Sequence, residues 1–477
     1  MGEPFAEEFS QFARSKGVEP GRIGKIDKNP SQSKHLETAT FKLFGLDLDF
    51  VNLRSEEYAG DSRIPTVSFG TPLEDAMRRD ITINALFYNV HTKTVEDFTS
   101  KGLDDLKDGV IRTPLPPKET FADDPLRVLR CIRFASRFGF TLVQELKDAA
   151  RDLEIQTALA NKISKERVGV ELDKMLKGQN PLSAIELFEE LSLSNPVCSA
   201  LPPTISEKMS GDPKDSIVAL RNASVLNELT KNTLDTQIPS LHPFLSRRSQ
   251  TDPTCRPRLF LASFLSPYLS LTYTDKKNKT FPAVEAIIRE ALKLGTQNHY
   301  LDGVPILCGA VAKTRHFLDT YPTYPRSTRR SSIGVFLRNK SIHNLNAGIH
   351  WSDSMLFTLV LELGEQYDAI SDALNVERAT AIISKYNDFA TLAEELDLWD
   401  VGELRPLVDG KDVLSTLEAK RSGPWLAETL SKVVEWQLDN RDATKERCLN
   451  WLRLERQEGR IRVEDSEQPT AKRPRTK

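Results

Sequence analysis

Three arginines recur at three-residue intervals, Arg127, Arg130 and Arg133; Arg137 follows, and Asp124 stands three residues before the first. On a 3.6-residue helix the four cations fall within a sector of about 120°, with Val128, Leu129, Ile132 and Ala135 on the opposite side. Four arginines on one helix face are ordinarily a solvated surface. The alternative is a binding surface. Guanidinium forks match phosphate oxygens, and Asp124 and Arg127, one turn apart, could offer an acceptor and donors to the edge of a base. A second charged segment, Glu74–Ala85 (EDAMRRDITINA), lies about 45 residues earlier. Its Arg79 suits a phosphate, and Asp80 and Asn84, four residues apart, could hydrogen-bond a ribose hydroxyl. In Leu46–Val51 (LDLDFV) apolar and acidic residues alternate, so Asp47 and Asp49 share one strand face.

The elements that must position these residues follow from periodicity. The first 20 or so residues read as a helix. Strand patterns cover Thr40–Phe44, Leu46–Val51 and Thr66–Phe69, and recur near Thr94–Phe98 and Val110–Thr113. Between these groups, the stretch from Pro72 through Tyr88 has a helical pattern. From Phe121 onward the chain reads as helical, with Asp123–Phe140 as one element, then Gln144–Ile155, Lys165–Leu176 and Pro181–Glu190. Polar breaks fall at Pro202–Asp215 and Tyr321–Ser332. The expected fold class is therefore α+β: a small head with an incomplete sheet, followed by an extended all-α remainder. The expected boundaries are 1–120 for the head, 121–200 for a helical neck, 201–330 for a body and 331–463 for a tail. The basic end, 464–477, is too polar to fold alone.

Composition narrows the function classes. At 39% hydrophobic and 28% charged residues, the chain has enough apolar mass for several cores. A net charge of −3 leaves room for a basic face toward nucleic acid. The five cysteines are isolated and lack CxxC spacing, which argues for a reduced intracellular protein without a zinc site. No apolar run approaches membrane-spanning length, so no membrane partner is expected. The acidic start, MGEPFAEEFSQFARSKG, resembles neither a signal peptide nor a transit peptide.

Taken in order, the string DDPLRVLRCIRF (Asp123–Phe134) resembles the nucleotide-selecting helix of class II CCA-adding tRNA nucleotidyltransferases. EDAMRRDITINA resembles the same family's RRD-x-[TS]-x-NA segment. The resemblance implies that Asp124 and Arg127 read the base of CTP or ATP without a nucleic-acid template. Arg130 and Arg133 would hold the phosphates or neighbouring protein. Arg79, Asp80 and Asn84 would meet the sugar and triphosphate. The strand Leu46–Ser55 is similar to one carrying a catalytic carboxylate, at Asp49. The loop after it, with Tyr58 and Arg63, corresponds to one that helps switch from CTP to ATP. Glu166 and Arg167 open a helix that would brace the arginine helix. LVDGKDV (Leu407–Val413) and Gly423-Pro424-Trp425 resemble a tail signature that holds tRNA, with Lys411 as a phosphate contact. PRSTRR (Pro325–Arg330) is a further possible RNA contact. The head is closest in spelling to fungal and other eukaryotic members. The implied partners are tRNA, CTP and ATP, and the location mitochondrial, cytoplasmic or nuclear, a basic cluster at Ala471–Lys477 being compatible with nuclear import.

One expected block is missing. The family's active site holds Mg2+ on a G-G-x-V-R-D…D-x-D segment, and no such segment occurs in these 477 residues. Asp47 and Asp49 share a face, but no glycine-rich unit precedes them. No metal ligands are therefore assigned. The expectation is an N-terminally truncated chain, inactive as written and poorly stable in its head. The alternative is a catalytically dead tRNA-binding paralogue.

Overall fold

The computed structural model describes residues 2–26, 38–57, 66–198, 200–275, 277–368 and 371–463. Tyr58, Arg63 and the basic end 464–477 lie outside the described residues. The chain divides into two units, residues 1–220 with 267–295, and residues 221–266 with 296–477.

The first unit opens with helix α1 (Gly2–Ser15) laid on a three-stranded antiparallel sheet, β1 (Gly24–Ile26), β2 (Thr38–Leu43) and β3 (Leu46–Phe50). Phe44 and Gly45 both have positive φ, as a two-residue hairpin turn between twisted strands requires. Phe5, Phe9, Phe41 and Phe50 interlock between helix and sheet with ring centroids 5.0–6.1 Å apart. Asp47 and Asp49 alternate outward, as the strand pattern predicts.

Short pairs of strands and helices follow. β4 (Arg54–Glu57) pairs with β5 (Thr66–Phe69), then helix α2 (Pro72–Met77) leads to the hairpin β6 (Phe87–Asn89) and β7 (Thr94–Glu96). After α3 (Gly102–Asp108), β8 (Val110–Ile111) pairs in parallel with β9 (Thr141–Leu142). Between those strands run α4 (Pro117–Asp123) and the arginine-bearing α5 (Leu126–Phe138). Helices α8 (Lys165–Leu176) and α9 (Pro181–Glu190) pack against α5, and α6 (Gln144–Arg151) and α7 (Leu153–Lys162) against α4. This is the expected α+β head with helices behind it.

Three expected elements are different. The helix through Tyr88 ends at Met77, and Ile81 is extended (φ −141°, ψ 151°). The β-branched run Ile81-Thr82-Ile83 disfavours helix, and Ile81 and Thr82 are pulled into the core: the Thr82 N–H donates to the Arg112 carbonyl at 2.9 Å, and its hydroxyl to Asp105 at 2.7 Å. Asp123–Phe140 holds one helix, Leu126–Phe138, that starts later than expected, because Pro125 forces Asp124 out of the helical region (φ −139°, ψ 97°) and Asp123 ends the helix before it. Gln144–Ile155 also breaks, at Asp152, whose carboxylate caps α7 by accepting the Glu154 N–H at 2.9 Å.

In the second unit the apolar helix Trp351–Gly364 is buried along almost its whole length. At its start the His350 Nδ1 accepts the Ser352 N–H at 3.2 Å, so its Nε2–H donates to the Trp399 carbonyl at 3.0 Å and the ring is neutral. Burial, reinforced by neighbouring positive charge, pushes His350 down to about 3 and His343 down to about 4. In the unfolded chain both would titrate near 6.5. As pH falls below 6.5, protons therefore bind the unfolded state first, and stability is lost progressively toward pH 4 and 3. His350→Asn, which can accept at the cap without titrating, is expected to flatten the loss of melting temperature between pH 7 and 5; an unchanged slope would contradict this.

The stretch Tyr321–Ser332 lies inside this second unit. There Arg329 donates to the Tyr324 carbonyl at 2.9 Å and Arg330 to the carbonyls of Leu396 and Leu438, so both arginines tie loop and helix-end carbonyls. Asp409 caps the helix Gly410–Thr416, and Trp425 enters a core with Val413, Leu417 and Leu452. Those packing roles account for much of the tail signature; Lys411 is exposed on the first turn.

Candidate nucleotide-binding site

The segment after β5 begins with a reciprocal cap. The Thr71 N–H donates to the Glu74 carboxylate at 2.7 Å, and the Glu74 N–H to the Thr71 hydroxyl at 3.3 Å, with Pro72 at the first helical position. This fixes the one and a half turns of α2 that carry Asp75. Only 1% exposed, Asp75 accepts from both Arg78 and Arg79, the latter through Nη2 at 2.6 Å, and from the Arg54 N–H at 3.2 Å. Burial alone would push its carboxyl up. The hydrogen bonds and charge of Arg79 and Arg78 outweigh that and hold it below the usual carboxylate range.

Where α2 stops, the chain folds back and Asp80 meets α5. Asp80 is 7% exposed; its Oδ2 accepts from Arg130 Nε at 2.8 Å and its Oδ1 from Asn84 Nδ2 at 3.2 Å. The Asp80–Asn84 contact thus forms across the extended Ile81 and a 3-10 turn, Thr82–Asn84, rather than along an α-helix. Arg127 is buried and donates to the Arg78 carbonyl at 2.8 Å. Asp124, extended ahead of α5, accepts from Arg167 Nη2 of α8 at 2.7 Å and from the Leu126 N–H at 3.2 Å. Arg133, also buried, pairs with Glu171 of α8, which holds Lys174 at 3.1 Å as well. The arginine face is therefore covered by α2's continuation and by α8. Arg167 does tie α8 to the residues entering α5.

Three guanidiniums remain partly open: the side chains of Arg79, Arg130 and Arg167 are 38%, 34% and 40% exposed, and of these Arg79 and Arg130 flank Asp80 in the α2 continuation and α5. Each of these two is oriented by a buried carboxylate, Asp75 or Asp80. Chemically this is a pair of positioned forks able to meet an anion without first being ordered. Asn84 and Asp80 add a neutral donor and an acceptor beside them. Cys131 on α5 is buried, which pushes its thiol up and makes it inert packing.

The structure gathers Arg79, Asp80, Asn84, Asp124, Arg127, Arg130 and Arg133 around α5. Asp49 stands exposed on the separate β1–β3 sheet, and no described hydrogen bond or ion pair joins it to them. Lys411 belongs to the second unit. Among the described residues, no group of three or more His, Cys, Asp or Glu is placed to hold a metal. Asp47 lies beside Lys42 at 3.6 Å and both are exposed.

Sequence reasoning passed over Asp75, the hub of the site. Its signal was present: an acid three and four residues before two arginines. It also passed over Glu171, and over Asp105, which joins Thr82 to Arg112 at 3.2 Å.

Residues 1–112 match a family model described as Poly A polymerase head domain, and residues 139–203 one described as Probable RNA and SrmB-binding site of polymerase A. A relative from Saccharomyces cerevisiae, named CCA tRNA nucleotidyltransferase, mitochondrial, is 38% identical over 95% of this chain and 82% of its own length. The Bacillus stearothermophilus CCA-adding enzyme solved with CTP superposes with a TM-score of 0.53, at 19% identity, over 96% of this chain and 99% of that one. The Thermotoga maritima CCA-adding enzyme solved with tRNA does so with 0.53, at 20% identity, over 93% and 83%. At these identities the two structures speak to the fold.

Proposed function

The chain belongs to the CCA tRNA nucleotidyltransferases, and on that premise we propose that the residues around α5 hold CTP and ATP, selected without a nucleic-acid template for transfer to the 3′ end of tRNA. The observation that carries this is the pair Arg79 and Arg130, each about one-third exposed and each fixed by a buried carboxylate. In this reading the two forks hold the triphosphate. Asn84 and Asp80 meet the ribose. Asp124 and Arg127 present an acceptor and donors to the base, with Arg167 setting the Asp124 carboxylate. Arg133, locked to Glu171, keeps α5 in register with α8. Lys411 and the tail contact the tRNA, and Asp49 stands at the position of the family's catalytic carboxylate. The division at residues 120, 200 and 330 into head, neck, body and tail belongs to the same proposal. The mitochondrial name of the yeast relative supports a mitochondrial location.

In the family, Mg2+ serves the transfer. Among the described residues no group of three or more acids, histidines or cysteines is placed to hold it, and these 477 residues hold no G-G-x-V-R-D. A polypeptide of this sequence is accordingly expected to bind nucleotide and tRNA without joining them. Incubation with labelled CTP and ATP and a tRNA lacking its 3′ CCA should give no incorporation above background. Robust incorporation would defeat this part of the proposal. Measurable CTP binding by the same polypeptide keeps the nucleotide site in place; its absence removes it.

A further inference from the structure

At the last two arginines of α5, a cleft of about 820 Å³ opens between the end of that helix and the α8–α9 connection. Its far end, at Arg137, lies roughly 15 Å along the helix from Arg127, at 1.5 Å per residue, and of the residues placed around the nucleotide it shares only Arg133. Arg133, Arg137, Lys174 and Lys177 bring four positive charges to it. Two acids engage them: Glu171, shared by Arg133 and Lys174, and Asp173, at 2.8 Å from Lys177. The cluster therefore has two more positive than negative charges. Lys174 and Lys177 are each about half exposed.

The cleft also contains an aromatic ring that the fold leaves open. Phe138 is 46% exposed. Phe134 stacks near it, with centroids 6.0 Å apart and planes 12° from parallel, and Phe140 tilts against it at 5.5 Å. The ring is thus held in orientation. The Arg137 guanidinium lies 5.3 Å from its centroid. Cations alone would suit any anion. A fixed, exposed ring flanked by cations suits a base together with its phosphate. A duplex keeps its bases stacked inside, so the base in question must be unpaired.

We propose that this cleft holds an unpaired nucleotide of the RNA substrate, its phosphate against Arg137 and Lys177 and its base on Phe138. The inference rests on the reading that the chain binds tRNA. Its test is the affinity of the full chain for a tRNA lacking CCA, measured across a salt series, beside its affinity for CTP. Arg137→Ala with Lys177→Ala is expected to weaken tRNA binding at least tenfold and to lower the slope of log K against log salt by about 1.4, two contacts at about 0.7 each. Phe138→Ala is expected to weaken binding about tenfold with the slope unchanged, and Phe138→Tyr to restore it. CTP affinity should hold in all three. The inference is overturned if tRNA affinity and slope stay within twofold of the unaltered chain, or if CTP affinity falls in parallel, which would mean damage to α5. If the unaltered chain binds CTP but no tRNA, this inference fails and the nucleotide reading stands; if it binds neither, both fail.

Discussion

Replacing Asp75 by alanine is expected to lower the unfolding free energy of the chain by about 3–5 kcal/mol, the cost of removing one partner from a buried ionic cluster. Arg78 and Arg79 would lose the acceptor that fixes them, and the Arg54 N–H would lose its partner as well. Asp75→Asn keeps the shape and one acceptor and should fall between the two. Acid behaviour separates them further. The folded Asp75 holds its proton less tightly than the unfolded chain does, so its contribution is full above pH 4 and disappears as pH falls through the depressed folded value. Urea melts at pH 7 and at intervals down to pH 3 should show the unaltered chain converging on Asp75→Asn in acid. Parallel curves would contradict the assignment.

Arg130→Ala is expected to act on both stability and binding. Asp80 would keep only the Asn84 contact among its described partners while remaining buried, so stability falls. A charge-assisted hydrogen bond contributes about 1.5–3 kcal/mol, so loss of the fork should weaken CTP and ATP binding by roughly tenfold to 150-fold. Arg130→Lys retains charge without the fork and should recover less than half of the lost free energy. Titration calorimetry, with melting curves on the same samples, separates the two effects; full recovery by lysine would mean that Arg130 acts as a point charge.

The helices around the site were legible because their signals are local. Lys165–Leu176 and Pro181–Glu190 have the bounds that periodicity predicts. The turn after α2 was not legible. Arg78-Arg79-Asp80 continues a helical charge pattern, and only the burial of Ile81 and Thr82 against Asp105 and Arg112, residues more than twenty positions on, breaks it. Which arginines of the face are covered was not legible for a similar reason. Spacing sets which side Arg127 and Arg133 occupy, but the groups that cover that side, the Arg78 carbonyl and Glu171, lie about 50 residues upstream and 38 downstream. The residues of the site were nevertheless identifiable, because the ordered string from Asp124 to Phe134 carries more information than its arginine count.

In the proposed reading this site distinguishes bases as well as binding phosphate. The most direct measurement is the affinity of the 477-residue polypeptide for CTP, ATP, UTP and GTP, repeated on Asp124→Ala. The account predicts that CTP and ATP bind at least tenfold more tightly than UTP and GTP, and that removing the Asp124 carboxylate erases that difference while leaving the phosphate contribution of Arg79 and Arg130. Equal affinity for all four nucleotides, or a preference that survives the loss of Asp124, would contradict it.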